Sequence, residues 1–122
     1  MKKLLILSCA ALALAGCTRT NLFNNPTSAA TTLYQVESDY AVVLGLAVQY
    51  RKLPVCGSGG VLCSNPAVLV KIRAANAAVV ASLNTAQSVV RAKGTAAQIE
   101  AAVSNAENNI AALQALLPTG AK

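Results

Sequence analysis

Three stretches of the chain carry apolar residues at alternating three- and four-residue steps. That spacing places them on one face of a helix. The first pattern begins at Thr27 and runs through Leu33, Val36, Tyr40, Val43, Ala47 and Tyr50. Pro54 ends it, because proline lacks the N–H a helix needs. The second opens at Asn65-Pro66, with Asn as N-cap and Pro at the first helical position. Its stripe is Leu69, Ile72, Asn76, Val79, Leu83, Ala86 and Val90. Arg91 and Lys93 stand in the last turn, where cations suit the dipole, and Gly94 is the expected cap. Thr95-Ala96-Ala97-Gln98 matches the capping box of a third helix. Its stripe is Ile99, Val103, Ala106, Ile110, Leu113 and Leu117, with Pro118 as terminator. Each helix is expected to run about 35–40 Å at 1.5 Å per residue.

The very short connection at Gly94 makes neighbouring helices antiparallel. The expected fold is therefore all-α, an antiparallel three-helix up-down-up bundle over residues 27–117, rather than an intermolecular coiled coil. Asn76 interrupts an apolar stripe, a placement that often fixes register at a cost in stability. The first helix departs from clean amphipathicity. From Ala41 to Val48 every residue is apolar or Gly, so Ala41, Val42, Gly45 and Val48 face outward. A helix apolar all round is normally covered, and mid-helix Gly costs about 1 kcal/mol relative to Ala. The strip is thus a candidate contact for a second copy or a partner helix. The competing reading is a solvated face of harmless small residues.

The N-terminus breaks the helical pattern. Met1, Lys2 and Lys3 precede Leu4 to Leu14, apolar except for Ser8, and then come Ala15, Gly16 and Cys17. The run is shorter than the roughly 20 residues that span a bilayer and has the length of a signal-peptide core. Leu14-Ala15-Gly16-Cys17 resembles the lipobox of bacterial lipoproteins. The resemblance covers the first 17 residues. It implies a diacylglyceryl group on the Cys17 sulfur, removal of residues 1–16, and acylation of the new amine. Thr18 at the next position favours the outer membrane, facing the periplasm, in a Gram-negative host. Residues 17–26 then form a lipidated, polar, Asn-rich tether, and 118–122 a tail. The longest later uninterrupted apolar run, Ala41 to Val48, is too short to span.

Cysteine usage follows from that reading. Cys9 leaves with the leader and Cys17 takes the lipid, so Cys56 and Cys63 remain in an oxidising compartment. Gly57-Ser58-Gly59-Gly60 lets them meet, and a disulfide stapling the loop between the first two helices is expected. A bridge closing so short a loop stabilises by about 2–3 kcal/mol. Two thiols without a nearby His make a poor metal site, and the spacing is not the C-x-x-C of a redox motif.

Composition narrows the chemistry. Aromatics are 3% and Trp and His are absent, so the core is Leu, Val, Ile and Ala. No His is available to activate a Ser or Thr. Removing Lys2 and Lys3 takes the net charge from +6 to +4. Without a dense basic run or stacking aromatics, no nucleic-acid partner is expected. Glu37 and Asp39 do not share a helix face, and Glu100 and Glu107 lie a heptad apart, so all four acids read as solvated surface charges. No cofactor beyond the lipid and no metal is expected. Arg51, Lys52, Lys71 and Arg73 flank the Cys loop and gather at one end of the bundle, a candidate site for an anionic partner.

The expected role is a non-enzymatic structural or protein-interaction module of the cell envelope, anchored to a membrane and contacting an envelope protein or itself. The alternative is a phage-derived exclusion or lysis accessory, or a small inhibitor of an envelope enzyme, which phage genes nearby would favour. The layout of tether, helix, Cys loop and helices resembles small helical lipoproteins of proteobacterial and prophage-like gene clusters. No functional residue carries over from them. Lys122 is similar to the final Lys of the murein lipoprotein, but Thr-Gly-Ala-Lys lacks that family's preceding aromatic and Arg.

Overall fold

The computed structural model describes residues 26–118. The expected leader, the expected lipidation site Cys17, the expected tether before Pro26 and the residues after Pro118 lie outside the described residues. Three helices pack together: α1 (Pro26–Lys52), α2 (Pro66–Arg91) and α3 (Ala96–Ala115). The up-down-up order is the one expected. α2 and α3 form the closest pair, and α1 packs more lightly against both.

The three stripes meet in one core. From α1 it takes Ala29, Leu33, Val36, Val43 and Ala47, and from α2 Ile72, Val79, Leu83 and Ala86. Ile99, Val103, Ala106, Ile110, Leu113 and Leu117 supply the third side. Tyr40, Tyr50, Leu69 and Val90 stand half-buried at its margin. By length and composition alone α2 is apolar enough to cross a membrane. A search for uninterrupted apolar runs misses this, because alanines spaced among polar residues carry the hydropathy. Within the bundle α2 turns Ile72, Val79 and Leu83 to the core.

The ends match the capping chemistry, with two corrections. Asn65 Oδ1 accepts from Ala67 N–H at 2.9 Å, and Thr95 and Gln98 form the reciprocal capping box. α1 begins at Pro26, one residue before the expected start. At the end of α2 the left-handed residue is Lys93, with φ 53°, not Gly94. Lys93 N–H bonds Val90 O at 3.1 Å and Gly94 N–H bonds Val89 O at 3.0 Å, the paired bonds of a Schellman motif. Gly94 is needed for space: a Cβ there would lie 2.7 Å from Val89 Cγ1. α3 has 20 residues, so it runs about 30 Å, shorter than expected. Leu117 lies beyond its end yet stays buried, because Leu116 and Leu117 N–H groups bond back three residues in a tightened turn.

Candidate functional site

The segment between α1 and α2 is a clamp with a protruding tip. Cys56 and Cys63 are joined by a disulfide, with Cα atoms 4.8 Å apart. Below the bridge, Cys56 N–H bonds Ser64 O at 3.0 Å and Ser64 N–H bonds Pro54 O at 2.8 Å. The Ser64 hydroxyl donates to Leu53 O at 3.0 Å, and Ser64 is only 1% exposed. Tyr50 Oη accepts from Asn65 N–H at 2.9 Å, tying the last turns of α1 to the N-cap of α2. Sequence reasoning missed Ser64, because nothing distinguishes it from the other loop Ser.

Above the bridge, residues 57–62 are all exposed. Gly57 and Gly59 take φ values of 107° and 90°, a region that other residues rarely adopt. The chain then presents Val61 at 102% exposure and Leu62 at 66%. Val55, beside the bridge, is also exposed.

The four flanking cations stand on the two helices that meet the loop. Arg51 and Lys52 end α1, while Lys71 and Arg73 are the sixth and eighth residues of α2, and all four are exposed. Arg51 and Arg73 share a groove of about 130 Å³ between α1 and α2, floored by Leu44, Ala47 and Ile72. Lys52 and Lys71 do not line it. Among the described residues, no side-chain hydrogen bond or ion pair engages any of the four.

Ala41, Val42, Gly45 and Val48 are all exposed, with Val42 at 65%. They do not border one furrow: Val48 lies on the α1–α2 groove and Val42 on one between α1 and α3. A Cβ at Gly45 would meet nothing within 4 Å. Close packing within the bundle therefore does not require glycine there.

The acids differ from the surface reading in two respects. Glu37 is half-buried and its Oε1 accepts from Gln87 Nε2 at 2.7 Å. Gln87 Oε1 in turn accepts from Arg91 at 2.9 Å, so the chain of bonds pins α1 to the end of α2. Asp39 and Glu107, distant in sequence, border the same α1–α3 groove. Among the described residues no group of three His, Cys, Asp or Glu could hold a metal ion.

No protein-family model matches the chain, and no curated protein and no solved structure matches it either.

Proposed function

We propose that the chain is an exported lipoprotein, held by acyl chains on Cys17 in the outer membrane and facing the periplasm. There it acts as a non-enzymatic structural or protein-interaction module. The observation that carries the reading is Leu14-Ala15-Gly16-Cys17 behind a basic start and a short apolar run. Two or three acyl chains, at about 0.8 kcal/mol per buried CH₂, hold a protein stably on a membrane. The Cys56–Cys63 bridge supports export, because disulfides persist in oxidising compartments and are rare elsewhere. The α1 strip of Ala41, Val42, Gly45 and Val48 is the surface assigned to a second copy or a partner helix. Its support is that the bundle leaves it uncovered.

Metabolic labelling with palmitate tests the anchor. The wild type incorporates label and loses residues 1–16. Cys17→Ser removes the label and leaves the precursor uncleaved. A processed, lipid-bearing Cys17→Ser protein would overturn the reading.

A further inference from the structure

We propose that the disulfide-closed loop is a second membrane contact, in which Val61 and Leu62 enter an anionic lipid surface while Arg51, Lys52, Lys71 and Arg73 meet its phosphates. Single exposed apolar residues are ordinary on protein surfaces. Here two adjacent ones stand exposed in a loop that a disulfide closes at its base. The bridge and the Ser64 hydrogen bonds hold both strands of the loop at its base. The tip itself is uncharged, consisting of Gly, Ser, Val and Leu.

Charge selects the partner. From Tyr40 to Ile99 the sequence holds no Asp or Glu, and residues 108–118 of the returning helix and its end hold no charge. Among the described residues the loop end therefore presents cations alone, and no side-chain hydrogen bond or ion pair engages any of the four. Lys71 and Arg73 lie about 8 and 11 Å along α2 from Pro66, at the end of the helix that carries the loop. Apolar groups dock about 5–10 Å into the headgroup boundary, with cations behind them at the phosphates. Each such cation strengthens binding to an anionic membrane about fivefold, so four give a gain on the order of 100-fold after screening.

The test omits the anchor. Residues 18–122 contain the whole packed core, Ala29 to Leu117, and the disulfide, so this fragment folds as the bundle. The chain has no Trp, so Val61→Trp supplies a sole indole reporter. Vesicles of equal phosphatidylglycerol and phosphatidylcholine are compared with phosphatidylcholine alone at low salt. On the anionic vesicles the indole emission shifts to the blue and is quenched by brominated acyl chains. Affinity there exceeds that for the neutral vesicles by at least about tenfold. Replacing Arg51, Lys52, Lys71 and Arg73 together by Gln lowers it on the order of 100-fold. Val61→Ser with Leu62→Ser, which carries no indole and is compared with the wild type by co-sedimentation with the same vesicles, lowers it by at least about tenfold without changing helix content. An unshifted, unquenched indole, or equal affinity for neutral vesicles, would overturn the proposal. So would binding that survives the paired Ser substitutions undiminished, or capture of an acidic protein without vesicle binding. Because the fragment lacks Cys17, its failure leaves the palmitate result standing, and the reverse also holds.

Discussion

The Tyr40 hydroxyl donates to Asn76 Oδ1 at 2.9 Å, joining α1 to α2 at the one polar position in the second apolar stripe. Tyr40→Phe removes the donor and leaves Asn76 half-buried, at a cost of about 0.5–1.5 kcal/mol. Tyr40→Phe with Asn76→Val restores most of that loss, because neither partner is left unsatisfied. Urea denaturation of the two single variants and the double variant measures the coupling. Additive losses would show that the bond does not hold the helices.

The staple is expected to act on stability and not on helix content. Cys56 and Cys63 resist thiol-reactive reagent in the native protein isolated without reductant. Reduction lowers the unfolding free energy by about 2–3 kcal/mol, while the far-ultraviolet circular dichroism stays helical. Rapid labelling of both residues in the native protein would count against a stable bridge.

The turn between α2 and α3 separates two roles usually filled by one glycine. Lys93 occupies the left-handed conformation and Gly94 the tight contact. Lys93→Gly is expected to stabilise by about 0.5–1 kcal/mol, since it relieves the Cβ strain. Gly94→Ala is expected to destabilise by about 1–3 kcal/mol, since its Cβ would press on Val89. Thermal unfolding of the two variants gives opposite signs if both assignments hold.

Gly45 tests the exposed strip of α1. Gly45→Ala is expected to stabilise the bundle by about 1 kcal/mol, because the new methyl meets nothing and alanine favours helix. If the strip seats a second copy, the same change weakens association. Val42→Glu and Val48→Glu then dissociate it while leaving each bundle folded. Sedimentation of residues 18–122 reads all three variants. A wild type that is monomeric at every concentration, with the Glu variants silent in cells, would remove the strip from consideration.

The stripes were legible because burial in a bundle repeats every three or four residues. Of the predicted positions in α3, all six are buried, including Leu117 past the helix end. The caps were legible because their hydrogen bonds are local. What escaped the sequence depends on register between distant segments. Glu37 finds Gln87 fifty positions away, and Asn76 finds Tyr40 thirty-six away. Ser82 is 5% exposed inside α2 and satisfies itself by donating to Val79 O, which a hydrophobic pattern counts as a surface residue. The basic end was read from flanking charges alone. Its apolar tip was not, because Val61 and Leu62 lie in a loop where periodicity carries no information.

The Ser64 clamp divides the loop into a part the bundle needs and a part it does not. Leu53, Pro54, Cys56 and Ser64 are bonded across the base, whereas among the described residues the hydrogen bonds of 57–62 reach only from Ser58 to Val55 O. Substitutions at Ser58, Gly60, Val61 and Leu62 therefore carry little folding penalty, whereas Gly57 and Gly59 hold a conformation that any side chain would strain. An epitope or reporter inserted beyond the bridge would therefore be presented without disturbing the core.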